Sequence, residues 1–174
     1  MRWGLIPHWV KDPREFATLV TARAETALEK ASFKTPMRHR RCIVPANAWY
    51  AWRGKSGEKQ AYLVRPREPA TLALAGLWEH WLGRDGSEME TLAIVTVPAG
   101  PDLCATDERM PAVLSGEAID AWLDVRGTTE VEAAELLRPL PGGVLAAMAI
   151  RSAINNPDAE GPELQTPVDD AARS

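Results

Sequence analysis

The chain of 174 residues and 19.1 kDa suits one domain that encloses its own core. Hydrophobic residues at 45% and charged residues at 25% exclude a disordered polyelectrolyte and a membrane-spanning chain as starting classes, and two cysteines exclude a disulfide framework. The net charge of -4 conceals a division: residues 1–67 carry 14 Lys and Arg against 5 Asp and Glu, residues 68–174 carry 6 against 19, so a weakly acidic chain can still present a basic face.

Residues 3–9 read as a short strand and turn, because Pro7 and Pro13 exclude a helix. Arg2, Pro7 and His8 interrupt the opening apolar stretch, which therefore lacks the pattern of a secretory signal; a reducing, cytoplasmic location is expected. Ala, Leu, Glu and Lys over 26–33 favour a helix, and Pro36 is placed to open a second helical turn through 37–40. A strand begins at 42–44, the aromatic run 49–52 continues in extended backbone, and the turn 54–58 leads into 60–64 as a hairpin. Two apolar runs, 71–78 and 91–97, are parted by the polar stretch 83–88 and read as buried strands. Ser115 is placed to cap a helix with an apolar face of Ile119, Trp122 and Leu123, ending near Asp124. A further helix is predicted over 129–137 and a last strand over 144–150. No repeat or dividing linker occurs. The expected fold is one α+β domain over 1–154, rich in strands with short peripheral helices, followed by a Pro- and acid-rich tail over 155–174 that lies on the surface or is disordered.

No phosphate-binding glycine loop is present, and His8, His39, His80, Cys42 and Cys104 never fall at paired ligand spacing, so neither a cofactor nor a metal is expected. Cys42 sits in an apolar strand and reads as a small hydrophobe. The cluster Lys34, Arg38, His39, Arg40 and Arg41 offers cations to successive phosphates. Trp3, Trp9, Trp49, Tyr50 and Trp52 flank it, the aromatic faces that single-stranded nucleic acid stacks on. The same tryptophans could equally fill the core of a strand-rich domain. Arg23 and Glu25, two apart, would share one face of extended backbone. Residues 106–111 concentrate charge just before a proline, as a loop presented by a rigid scaffold would.

The ordered segments Arg2-Trp3-Gly4-Leu5-Ile6-Pro7, Ala22-Arg23-Ala24-Glu25-Thr26, Arg41-Cys42-Ile43-Val44-Pro45-Ala46, Ala75-Gly76-Leu77-Trp78-Glu79 and Arg109-Met110-Pro111, with the segment 155–168, resemble the SOS-response-associated peptidase (SRAP) family nearly end to end. The resemblance implies an abasic-site processing protein of the DNA damage response that binds single-stranded DNA. In that family an N-terminal cysteine condenses through its amine and thiol with the ring-opened sugar aldehyde, giving a thiazolidine DNA–protein crosslink. Autopeptidase and lyase-type activities belong to the same family. An Asn, a Glu and a His around the cysteine position the sugar and move protons.

This chain departs from that pattern. It opens at Met1-Arg2-Trp3, inside the family domain, and the Asn, Glu and His positions are taken by Thr21, Ala51 and Asp107. A misplaced start would account for the cysteine, but not for these three residues. They point to a degenerate member that keeps the fold and a DNA groove without the crosslinking set. The resemblance carries Arg23, Glu25 and Arg109 to the DNA-facing site, with Trp9, Arg38, Arg40 and Arg41 as additions. Two alternatives stand beside this reading: an active enzyme in a longer native form, and a non-catalytic structural or partner-binding remnant that uses the acidic half of the chain.

Overall fold

The computed structural model describes residues 1–55 and 59–168. Strand β1 (Arg2–Trp3) ends at Gly4, where φ is 114° and a Cβ would run into the Thr18 methyl, so only glycine lets the chain leave the sheet here. Of the expected strand and turn over 3–9, the strand is confined to residue 3 and the turn falls at 8–9. The chain returns through a bridge between Leu5 and Leu19 to β2 (Thr21–Arg23), then enters helices α1 (Ala24–Ala27) and α2 (Ala31–His39). Pro36 does not open a helix but lies inside α2. Phe33, Pro36 and Met37 share one buried face there, and packing that face offsets the hydrogen bond that proline cannot donate.

Strands β3 (Arg41–Ala46), β4 (Trp49–Arg53) and β5 (Gln60–Pro66) follow, then the two longest, β6 (Leu72–Leu82) and β7 (Glu88–Pro98). The predicted β4–β5 hairpin is present; residues 56–58 of its turn lie outside the described residues. Short β8 (Arg109–Pro111) and β9 (Val113–Leu114) precede α3 (Glu117–Leu123), α4 (Glu130–Glu135) and β10 (Leu145–Ile150). Gly116, at φ 54°, rather than Ser115 is the N-cap of α3, and no side chain caps it. Helix α4 is closed by a capping box between Thr129 and Glu132.

In the seven-stranded sheet, β6 pairs antiparallel with β3 and β7, while β1 and β2 lie parallel to β7 and β8 and β9 add short antiparallel pairs. A three-stranded antiparallel sheet runs β10-β5-β4. The chain is thus α+β and strand-rich, with four short α-helices among the described residues. Alternation along β6 and β7 turns Ala75, Leu77, Ala93, Val95 and Val97 to one face, where they meet Phe33 and Met37 of α2 and fully buried Trp122 of α3 in the main core. A 3₁₀ turn, Ser152–Asn155, leads into the tail, which as far as Val168 contains a second, Pro162–Gln165, and buries Leu164. Residues 169–174 lie outside the described residues. Among the described residues no helix is long and apolar enough to cross a membrane.

Candidate nucleic-acid interface

The parallel pairing of β2 with β7 sets Arg23 beside Thr96, and the antiparallel pairing of β8 sets Arg109 beside Pro98, so both arginines come to the C-terminal end of β7. Period-two geometry exposes Thr21 and Arg23 while burying Ala22 between them. Arg109 is held on several sides. Its Nε donates to Thr96 Oγ1 at 3.1 Å and its Nη2 to the Thr96 carbonyl at 2.7 Å. The same guanidinium forks onto Glu25, Nη1 to Oε1 at 3.0 Å and Nη2 to Oε2 at 2.9 Å. Glu25 therefore does not share an extended face with Arg23: the chain turns into α1 at Ala24 and presents the carboxylate to Arg109. The Arg109 guanidinium holds that carboxyl below its ordinary range. The pair is half-exposed and screened, so it is worth at most about 1 kcal/mol; its effect is to fix two directions. The Arg109 backbone N–H donates to Asp107 Oδ1 at 3.2 Å, which turns this carboxylate toward the same opening.

Around these groups lies a cleft of about 340 Å³ walled by Trp3, Thr21, Arg23, Tyr50, Asp107 and Arg109. Trp3, Trp49, Tyr50, Leu74 and Ile94 also wall an adjoining apolar groove of about 450 Å³ that extends to Trp52, so cleft and groove form one depression. Trp3 is 59% exposed, yet its indole N–H donates to the Val20 carbonyl at 2.8 Å, which fixes the ring against the cleft. Trp52 is tied by its indole N–H to Asn155 Oδ1 at 2.9 Å, with the Tyr50 ring 6.4 Å away. Among the described residues Arg23 forms no ion pair, and its charge faces a depression floored by aromatic and aliphatic carbon. Such a surface suits a ligand with a flat apolar part and an anionic part.

The model of the SOS response associated peptidase (SRAP) family matches residues 1–157. The chain belongs to the SRAP family. It is 33% identical over 165 residues to the abasic site processing protein YoqW of Bacillus subtilis, covering 94% of this chain and 74% of that protein. It is also 33% identical over 193 residues to the abasic site processing protein HMCES of Gallus gallus, covering 97% of this chain and 57% of that one. A crystal structure of a Bacteroides thetaiotaomicron protein superimposes with a TM-score of 0.83 at 32% identity, over 95% of this chain and 75% of the other.

Measured against the SRAP positions named from sequence, the fold brings Thr21, Arg23, Asp107 and Arg109 to one cleft, with Glu25 touching its edge through Arg109. Ala51 lies beside it on β4, but its methyl is 3% exposed and packs into the main core. The other candidates are dispersed. Trp9 packs edge-on against Phe16 at 5.6 Å, beside the satellite cluster of Ile6, Val10 and Trp81, and does not wall the cleft. Arg38 points outward from α2. Arg40 lies 5.7 Å over the Trp78 ring and pairs at 2.8 Å with Glu79, a carboxylate only 1% exposed that also meets His8 Nδ1 at 3.1 Å.

Arg41 requires a correction, because it faces the interior rather than solvent. Its guanidinium donates to four backbone carbonyls: Trp122 at 2.6 Å, and Met37, Asp124 and Thr128 at 2.9 Å each. The residue is 4% exposed and cannot reach a phosphate. The cationic run thus splits three ways, outward, into an ion pair and into the core. Sequence reasoning placed Trp3, Trp49 and Tyr50 among the aromatics but not in the site; the cross-strand register that seats them together had no local signal. Burial pushes the Cys42 thiol up to about 11, while Cys104 is exposed at the rim beside Thr106 and Asp107. Among the described residues no three His, Cys, Asp or Glu side chains gather closely enough to hold a metal ion.

Proposed function

We propose that this SRAP chain is a non-crosslinking binder of single-stranded DNA that takes abasic sites into the cleft beside Arg23. The observation that carries the reading is the juxtaposition of Arg23, without an ion-pair partner among the described residues, with Trp3 and Tyr50 in one depression. Phosphate would meet the guanidinium, and bases flanking the gap would stack along the indoles. The abasic-site processing named for YoqW and HMCES motivates the choice of lesion. The absence of crosslinking rests on Thr21, Ala51 and Asp107. A threonine lacks the carboxamide's paired donor and acceptor, an alanine methyl transfers no proton, and an aspartate lacks the imidazole that can pass a proton between two ring nitrogens.

The test is the affinity for a short oligonucleotide with a central abasic site, measured across salt concentrations, followed by a heat- and detergent-denaturing gel. Binding that weakens steeply with salt, with no slow-migrating band, is the expected result. A band that survives denaturation would refute the non-covalent reading. Arg23→Glu should weaken binding while leaving the folded state intact, since the side chain is exposed; unchanged affinity in that folded variant would remove the cleft as the site.

A further inference from the structure

Outside the cleft, two arginines face a second cavity at the C-terminal end of β5. Arg65 precedes Pro66, the last residue of β5, Arg67 opens the bend after it, and both side chains line one cavity. Their backbone is not free to move away: Arg65 and Pro66 are paired with Ala146 and Leu145 of β10, and the Arg67 N–H continues the ladder to the Val144 carbonyl at 2.9 Å. Pro66 and Pro69 stiffen the bend that follows. The two arginines wall a cavity of about 640 Å³ with Asn47 from the β3–β4 turn and Thr71 at the start of β6. The Thr71 hydroxyl donates to Asn47 Oδ1 at 3.4 Å, which leaves the Asn47 carboxamide N–H groups available to a ligand.

Among the described residues no carboxylate lines this cavity and neither arginine has an ion-pair partner. Asp102 senses the charge of Arg67, but its oxygens are engaged by the backbone N–H groups of Gly143, Val144 and Leu145 at 2.9, 3.0 and 2.9 Å. Two guanidinium forks with amide and hydroxyl groups beside them match a tetrahedral oxyanion, and the volume exceeds what one phosphate fills. The cavity and the aromatic depression draw on neighbouring residues of the β3–β4 turn. Asn47 stands between Ala46 and Ala48, which both wall the apolar groove with Trp3, Trp49 and Trp52. The β3–β4 turn is thus the shared border of an apolar floor and a cationic cavity.

We propose that the cavity formed by Asn47, Arg65, Arg67 and Thr71 is a second phosphate site, which receives a backbone phosphodiester of the strand whose abasic region lies in the cleft. The proposal rests on the single-strand reading above and extends it. It gives the strand a direction, from Arg23 across the tryptophans to Arg65 and Arg67, and a footprint longer than the cleft.

The experiment compares wild type with Arg65→Gln/Arg67→Gln on oligothymidylates of about 4 and about 16 nucleotides, the limits of what a single-strand groove covers. On the longer strand the double variant should lower the magnitude of the slope of log affinity against log salt by about 1.4, the loss of two phosphate contacts at roughly 0.7 each. On the shorter strand the two proteins should be equal, and Arg65→Lys/Arg67→Lys should keep most of the wild-type slope. An identical slope for Gln variant and wild type on the longer strand overturns the second site while leaving the cleft in place. A parallel titration with inorganic phosphate follows the Asn47 side-chain amide by NMR, and saturable shifts in wild type that vanish in the Gln variant are expected. Absence of those shifts in folded wild type also overturns the site. Failure of wild type to bind either oligonucleotide, with phosphate shifts present, defeats the DNA reading and the strand path with it, and identifies the cavity as a small-anion site only.

Discussion

Arg41→Met separates an interior arginine from a DNA-binding one. The substitution keeps an unbranched side chain of similar reach and removes every donor from four carbonyls that now receive one. The bonds to Met37 and Trp122 are buried, whereas Asp124 and Thr128 lie where water can reach their carbonyls. Two buried acceptors left without donors cost about 1–3 kcal/mol each, and the relief from no longer burying a cation returns part of that. A net loss of about 3 kcal/mol follows, which at about 2–4 °C per kcal/mol for a domain of this size lowers the melting temperature by about 6–12 °C. Arg41 joins the end of α2 to the end of α3 and the approach to α4, so the loss should also appear as faster amide exchange across residues 122–130. The assay is thermal unfolding followed by circular dichroism, with oligonucleotide affinity measured well below the transition. An unchanged melting temperature combined with weaker DNA binding would refute the interior assignment and return Arg41 to the surface cluster that the sequence suggests.

Asp102 supplies a pH test. Backbone N–H groups of Gly143, Leu145 and Val144 hold its carboxyl below the ordinary range, helped by the charge of Arg67, so the folded state resists protonation more than the unfolded chain does. The resulting stabilisation is present above the ordinary carboxylate value near about 4 and is lost as pH falls through the depressed folded value; Asp102→Asn should therefore show a flatter decline in unfolding free energy on acidification, and parallel curves would show that the turn before β10 does not depend on that charge. The cysteines supply a chemical test: a thiol pushed up to about 11 stays protonated at pH 8, so iodoacetamide should modify exposed Cys104 and spare Cys42 in the native protein, a pattern that peptide mass mapping reads directly and that rapid modification of Cys42 would contradict.

The strands were readable because their signals are local. The apolar runs that become β6 and β7 are long, β-rich and separated by a polar stretch with two glycines, and no helical alternative competes over them. Helix boundaries were less so, since they depend on what the helix packs against. Pro36 has the local character of a helix start, but Phe33 and Met37 on either side bury the same face against the sheet, and that burial extends α2 backward to Ala31. The predicted cap at Ser115 failed in the same way: a serine one residue early is a sound capping residue, yet Gly116 at positive φ sets the turn that enters α3.

The site divides along the same line. Arg23, Thr21, Asp107 and Arg109 could be named from motifs, but their convergence depends on β2 lying parallel to β7, between residues 73 positions apart, and on β8 folding back antiparallel onto β7, and no spacing in the sequence encodes the first of these pairings. The cluster Arg38-His39-Arg40-Arg41 failed for the complementary reason. Four consecutive residues crossing from the end of a helix into a strand point in different directions, so density of charge in sequence does not become density of charge in space. Arg41 begins β3 facing Trp122, and Arg40 turns to Glu79 beside Trp78; Arg38 and His39 keep the exposure that the composition implied. Arg65 and Arg67 show the converse. Separated by a proline and outside the dense cationic run, they carry little weight in sequence, and they gain it where the end of β5 and the bend after it bring both to one cavity with Asn47 of the β3–β4 turn. A basic half of a chain therefore predicts that a cationic surface exists, and strand register decides which of its arginines form it.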